Sequence, residues 1–165
     1  MVRSLFLAAL LALGCAGETV LVQPDGQDDG WLREAATENW ARVGVEAPEG
    51  YRLLFLDQET LADACGADLS ALADGARVGA CSFPGVVLLP VDADPGEQVD
   101  ALTHELGHLL RDERAGKVDR RHLDCGEAVN HGEPGAVGAD VMCLTGAGPG
   151  AAPTARDAAF VTRAR

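Results

Sequence analysis

The stretch ALTHELGHLL carries three side chains that could bind and use a metal ion, His104, Glu105 and His108. Two histidines at positions i and i+4 of a helix lie on one face, at a separation that a single metal ion can bridge. The glutamate at i+1 projects beside them, where it can hold a water molecule at the metal and act as a base. The spacing therefore predicts a helical metal site, with Zn²⁺ as the cofactor.

The residues before and within this stretch predict the helix that must position the site. Asp94 is a good N-cap, Pro95 suits the first helical position, and Glu97 completes a capping box. Aliphatic residues gather on the side of the helix opposite to His104 and His108. These residues are Val99, Leu102, Leu106, Leu109 and Leu110. We expect this aliphatic side to pack on a sheet and the histidines to face away from it.

The other periodic segments predict a single α+β domain. Gln58 to Asp74 is expected to be a loop with one or two helical turns. A helix is expected over Trp31 to Val43, and a closing helix, expected only to pack, has Thr154 as N-cap and Asp157 in a capping box. Strands are predicted over Glu18 to Gln23, Tyr51 to Asp57, Ala76 to Phe83 and Gly85 to Asp92.

The first residues predict export. Arg3 precedes an apolar run, Ser4 to Leu13, which is too short to span a bilayer as a helix. The following LALGCAG looks like a bacterial lipobox, which makes residues 1–15 a signal peptide and Cys15 the lipidated residue. We therefore expect a lipoprotein anchored to a membrane, with Ala16 after Cys15 favouring the outer membrane. Ordinary cleavage and secretion is the alternative.

Length and charge limit the remaining organisation and the partners. The chain has 165 residues, and residues 16–165 are expected to form one domain. A formal charge of −13 argues against nucleic acid or an anionic membrane surface as partner, because few cations are present to neutralise phosphates. The negative charge fits either a solvated acidic surface or a preference for cationic substrates.

Without Cys15, the chain keeps an even number of cysteines, which in an exported protein favours two disulfides. These cysteines are Cys65, Cys81, Cys125 and Cys143. Three pairings are open in principle. Proximity in sequence favours Cys65 with Cys81 and Cys125 with Cys143.

Three motifs together resemble the zinc metallopeptidases called metzincins: HELGHLL, the later ADVMC (Ala139 to Cys143) and the closing TARDAAFVTRAR. The resemblance implies a small mixed β-sheet with a packing helix, an active-site helix and a short C-terminal subdomain ending in a helix. It also implies that Met142 lies in a tight turn beneath the metal. The strand Ala76 to Phe83 would be the sheet edge that pairs with an extended peptide substrate, and Gly79 and Ala80 leave room for it.

The third metal ligand departs from the family pattern. That pattern requires Gly at position 111 and His at position 114, where this chain has Arg111 and Arg114. An extended helix ending at a left-handed Gly116 would return the chain to the metal at His122, which we predict as third ligand. A disulfide between Cys125 and Cys143 would support that return. His131 is the rival ligand, whereas Asp112 lies two helical turns from His104 and is expected to be a solvated residue.

The resemblance implies an endopeptidase that hydrolyses peptide bonds in peptide or protein substrates, with Glu105 as general base towards a water activated by zinc. The alternative is a non-catalytic lipoprotein with a degenerate metallopeptidase fold that binds zinc or a partner. The displaced third ligand favours this alternative, as does Leu144, which stands where some relatives carry a Tyr. The presence of Glu105 favours the enzyme, because a binding protein has no need of a base beside its metal.

Overall fold

A computed structural model describes residues 29–71, 77–119, 121–123, 141–142 and 152–163. Within them the chain forms four α-helices, one short 3₁₀ turn and a three-stranded sheet, which confirms the α+β class. The elements are α1 (Gly30–Ala41), β1 (Arg52–Leu56), α2 (Gln58–Cys65), β2 (Cys81–Phe83), β3 (Val86–Pro90), α3 (Pro95–Ala115) and α4 (Ala155–Thr162). The predicted strand Glu18 to Gln23 and the predicted signal peptide lie outside these residues. None of the described helices is long and apolar enough to cross a membrane.

The sheet is mixed, with the strand order β1-β3-β2. β1 runs parallel to β3, and β2 runs antiparallel to it, so β2 has one strand neighbour among the described residues. The predicted strand Ala76 to Phe83 is wrong in its length, because β2 begins only at Cys81. The reason lies in Gln58, whose side-chain amide bonds both the carbonyl and the N–H of Val78. Backbone groups satisfied in this way are not available to continue the sheet ladder.

The alternation of side chains along β1 and β3 creates two apolar layers. One layer faces α1 and α3 and forms the main core, with Trp40 and Leu106 among its fully buried members. The other layer faces α2, where Leu61 packs with Leu56 and Leu88. A disulfide between Cys65 and Cys81 joins the end of α2 to the start of β2 and confirms that predicted pairing.

Helix α3 has the boundaries that its sequence predicts. The Asp94 side chain accepts from the Glu97 N–H, and the Glu97 side chain accepts in return from the Asp94 N–H, which completes the capping box. The helix continues for 21 residues and ends at Gly116, whose φ of 63° is left-handed. A residue with a side chain is strained in that conformation, so glycine favours the stop at this point.

Helix α1 is fixed against α3 one turn or less from the histidine pair. The buried Trp40 indole donates to the Thr103 carbonyl at 2.8 Å, and the Asn39 amide donates to the Thr103 hydroxyl at 3.1 Å. The aliphatic residues Leu102, Leu106, Leu109 and Leu110 are buried in the main core, as predicted. The side of α3 that carries the histidines therefore stays clear of the sheet.

Candidate metal centre

Three imidazoles converge on one point, two of them from α3 and one from the chain that returns after it. The Nε2 atom of His108 lies 3.2 Å from that of His104 and 3.1 Å from that of His122. Zinc–nitrogen bonds of about 2.0–2.1 Å at tetrahedral angles place neighbouring ligand nitrogens roughly 3.3 Å apart. The three nitrogens therefore have the spacing of ligands to one ion, and these residues form the metal-ligand group found among the described residues.

The tautomer of His104 fits a metal ligand. Its Nδ1 lies 2.6 Å from the carbonyl oxygen of Val141, and a carbonyl can only accept, so Nδ1 carries the proton. In the neutral ring, the lone pair is then on Nε2, which points to the other two histidines. A hydrogen bond from the imidazole nitrogen that faces away from the metal orients histidine ligands in this way.

His108 is buried, whereas His104 and His122 are half-buried. Among the described residues, these three imidazoles lie close enough to one another to hold a metal ion, and one of them is shielded from solvent.

The chain returns to the histidines through a short contact next to Met142. The backbone N–H of Leu123 donates to the Met142 carbonyl at 2.9 Å, immediately after His122. The segment that carries His122 therefore lies next to Met142. The disulfide Cys125 to Cys143, which was expected to secure it, lies outside the described residues.

The described residues after Gly116, 117–119 and 121–123, form the returning segment. A buried arginine contacts this segment ahead of His122. The Arg111 guanidinium donates to the Asp119 carboxylate at 2.7 Å, and both side chains are nearly excluded from solvent, at 3% and 4% exposure. The backbone N–H of Asp119 donates to Asp112 at 2.6 Å. Asp112 was expected to be solvated, and this is wrong, because it caps the returning chain. It does not belong to the metal-ligand group, as predicted.

Asp119 also receives the side chain of Arg121, with donor distances of 2.9 and 2.6 Å. The hydrogen bonds from Arg121 and then from Arg111 hold the pKa of Asp119 well below its ordinary range, against the effect of burial. The carboxylate is therefore ionised at neutral pH and offers a charge to both guanidinium groups.

Met142 is completely buried next to α3. A Cβ atom at Gly107 would lie 3.1 Å from the Met142 methyl carbon and 2.9 Å from the Trp40 ring, and closer still to the Met142 sulfur. A side chain at position 107 would therefore require Met142 or Trp40 to move. Met142 lies against the helix turn that carries both histidines, which agrees with the predicted Met-turn in position.

Helix α4 does more than pack, which corrects the prediction. The buried Asp157 carboxylate accepts the backbone N–H groups of Val141 and Met142 at 3.1 and 2.9 Å. It also accepts the Thr154 N–H at 2.8 Å as part of the helix cap. Because the Val141 carbonyl receives His104 Nδ1, Asp157 fixes the residue that orients a metal ligand.

Glu105, the predicted base, is buried with 6% of its surface exposed. One carboxylate oxygen accepts a hydrogen bond of 2.6 Å from the hydroxyl of Ser82, on strand β2. Ser82 is itself buried and pairs in register with Val87, on the sheet face that looks towards α3. The edge strand and the candidate base are therefore joined directly.

Sequence reasoning did not find Ser82, Arg111, Asp119 or Asp157 as site residues. A signal existed for Arg111, since it follows His104 by seven residues and so continues the histidine stripe of the helix. Ser82 was visible as a polar position on a strand face expected to be apolar. The pairing of Arg111 with Asp119 had no local signal.

Several predicted residues cannot be placed, because they lie outside the described part of the chain: Cys15, Cys125, His131, Cys143 and Leu144. The choice between His122 and His131 therefore rests on the described residues. Among these, His122 joins His104 and His108 in one group whose ligand atoms lie within 4.8 Å of one another.

Comparisons with protein-family models, with curated proteins and with solved structures find no match to this chain.

Proposed function

We propose that this protein is a zinc-dependent peptidase of metzincin-like type, with His104, His108 and His122 as the metal ligands. The observation that carries the proposal is the convergence of three Nε2 atoms at 3.1 and 3.2 Å, with one ring oriented by a carbonyl. Three imidazole ligands with a carboxylate beside them, outside the ligand set, suit a hydrolytic zinc centre. When bound, zinc would supply Lewis acidity towards a water molecule and a substrate carbonyl.

The chain's own contribution to hydrolysis is acid–base chemistry by Glu105. Its carboxylate takes the proton of the attacking water and later delivers it to the leaving amine nitrogen. The Ser82 hydroxyl donates to one oxygen of this carboxylate at 2.6 Å and so orients the proposed base. Burial of Glu105 keeps bulk water from competing for the proton.

The substrate binds to the free edge of the sheet in this proposal. Strand β2 has β3 on one side and no second strand among the described residues. An extended peptide can add to that edge through backbone hydrogen bonds. Ser82 lies in this strand and contacts Glu105, so a peptide on β2 passes beside the base. The strand that offers this edge is Cys81–Phe83, shorter than the sequence predicts.

Residues 1–15 direct export in this proposal, and Cys15 carries the lipid that anchors the enzyme to a membrane, with the outer membrane as the favoured location. The Cys65–Cys81 disulfide supports an oxidising compartment, since such bonds seldom persist in the cytosol.

Replacement of the proposed base tests the function. Glu105→Gln keeps the shape and the hydrogen bond to Ser82 but removes the basic oxygen. We expect zinc content to be unchanged and kcat/KM on a library of short fluorogenic peptides to fall by roughly 10²- to 10⁴-fold. Glu113→Gln, an exposed carboxylate of the same helix, is the matched control and should retain wild-type activity. Undiminished hydrolysis in Glu105→Gln would reject the mechanism.

A second candidate, zinc binding without catalysis, is favoured by one observation. Glu105 is buried and its carboxylate accepts a hydrogen bond from Ser82, which is the environment of a carboxylate with a structural role. The same experiment separates the two, because the binding protein takes up one zinc ion and cleaves no peptide of the library in its wild-type form.

A further inference from the structure

We infer that Arg111 and Asp119 form a positioning pair for the third metal ligand, so that the affinity for zinc depends on a buried ion pair outside the ligand set. The inference rests on the zinc binding of the proposed function. It does not require the protein to hydrolyse peptides.

Arg111 makes three contacts that tie three parts of the chain together. Its guanidinium donates to Asp119 at 2.7 Å and to the Phe160 carbonyl of α4 at 2.6 Å. It also lies 3.8 Å from the centre of the Phe160 ring. Arg111 itself belongs to α3, which carries His104 and His108. One side chain therefore connects the ligand helix, the returning segment and the closing helix.

Asp119 is the point at which the returning segment is fixed. Its carboxylate receives Arg111 and Arg121, and its N–H donates to Asp112 of α3. Three residues later His122 meets the other imidazoles, and Leu123 donates to Met142. The segment that carries the ligand is thus held before and after His122, by contacts that contain no metal ligand.

Such fixation has a consequence for binding. Residues 117–119 and 121–123 are not helical, and an unfixed segment there would lose conformational entropy each time His122 joined the metal. The Arg111–Asp119 pair orders the segment during folding instead, so the metal meets a prearranged donor. Residues that orient metal ligands from outside typically change metal affinity by about 10- to 100-fold.

The test is a double-mutant cycle on zinc affinity of the full chain, measured by competition with a chelator of known affinity. Arg111→Met should weaken zinc binding by about 10- to 100-fold. In a His122→Ala background, Arg111→Met should have no further effect, because the pair acts through the ligand that is now absent. An equal loss in both backgrounds would overturn the inference, as would full affinity in His122→Ala or in Arg111→Met.

The chain offers a matched control in Arg33. This arginine also contacts a carboxylate, a backbone carbonyl and an aromatic ring, but it lies on α1. Arg33→Met should leave zinc affinity at the wild-type value. An equal loss in this variant would assign the effect to general destabilisation and overturn the inference.

Asp119→Asn removes the charge at nearly constant volume and is the substitute variant if Arg111→Met does not fold. We expect the same loss of zinc affinity, and the same absence of further effect in the His122→Ala background.

The inference and the proposed function fail in different ways. If wild-type protein binds zinc through His122 but hydrolyses no peptide, only the catalytic proposal is rejected. If His122 does not contribute to zinc binding, the positioning role is rejected whatever the activity.

Discussion

Two arginine clusters of this protein use the same three contacts in different settings. The Arg111 cluster consists of Arg111, Asp119 and Phe160, with a carboxylate at 2.7 Å, a carbonyl at 2.6 Å and a ring centre at 3.8 Å. The Arg33 cluster consists of Arg33, Asp29 and Tyr51, with the corresponding distances of 2.8, 3.1 and 4.6 Å. The ion pair of the Arg111 cluster is buried, whereas both side chains of the ion pair in the Arg33 cluster are about one-third exposed.

The two clusters differ in where the carboxylate residue lies along the chain relative to its arginine. Asp29 is the N-cap residue of α1 and precedes Arg33 by four residues, so their pairing joins groups that the start of this helix already brings together. Asp119 follows the end of α3, and its pairing with Arg111 fixes residues 117–119 and 121–123, which are not helical, against that helix. The same chemistry is therefore local support in one cluster and positions a candidate metal ligand in the other.

The largest expected effect is on the stability of the metal-free protein. Arg111→Met leaves the buried Asp119 carboxylate with only the exposed Arg121 as cationic partner, and should lower the free energy of unfolding by at most about 3–5 kcal/mol. Arg33→Met breaks a partly exposed pair and should cost only about 0–1 kcal/mol. Urea unfolding of chelator-treated protein measures both. Equal losses would show that the two clusters contribute equally to the free energy of unfolding and that burial makes no difference.

An intermediate effect is expected on the pH dependence of stability. The pKa of Asp119 is lower in the folded protein than its ordinary value of about 3.9, so the ionised carboxylate stabilises the fold above that value. As pH falls through the folded-state pKa, this stabilisation is lost.

The destabilisation caused by Asp119→Asn should therefore be greatest above about pH 5 and should shrink below about pH 4. Urea unfolding of the metal-free wild type and variant from about pH 5 down to about pH 3 is the measurement. A penalty that stays constant as the pH falls would contradict an ionised Asp119 in the folded protein.

The smallest effect is expected from Arg121→Met. Arg121 lies 2.6 Å from the Asp119 carboxylate, closer than Arg111, but its side chain is 66% exposed. Water and salt screen such a pair, so its contribution should be small and should vanish at about 1 M NaCl. Unfolding at low and high salt checks this. A loss as large as that of Arg111→Met would show that proximity and not burial governs the Arg111 cluster.

The sequence predicts the parts of the site that depend on local rules. The capping box at Asp94, the left-handed end at Gly116 and the helical spacing of His104 and His108 all appear in the structure. His122 was predicted by combining that helix end with the family resemblance. The capping box, the helix end and the histidine pair each involve residues within a few positions of one another, or a turn type that glycine favours.

The remaining features depend on contacts between distant segments. Strand β2 is shorter than predicted because Gln58, twenty residues before Val78, satisfies the backbone there. The bond from Ser82 to Glu105 requires the packing of β2 against α3, and Asp157 accepts from Val141, which lies 16 residues earlier in the chain. No periodicity or capping rule contains such information, because these partners are chosen by the tertiary fold.

The central claim, a zinc centre built from two helical histidines and one from the returning segment, is tested most directly by diffraction at the zinc absorption edge. Crystals grown with one equivalent of zinc should show a single anomalous peak about 2.0–2.1 Å from the Nε2 atoms of His104, His108 and His122. A peak that has His131 in place of His122, or none at these three nitrogens, would contradict it.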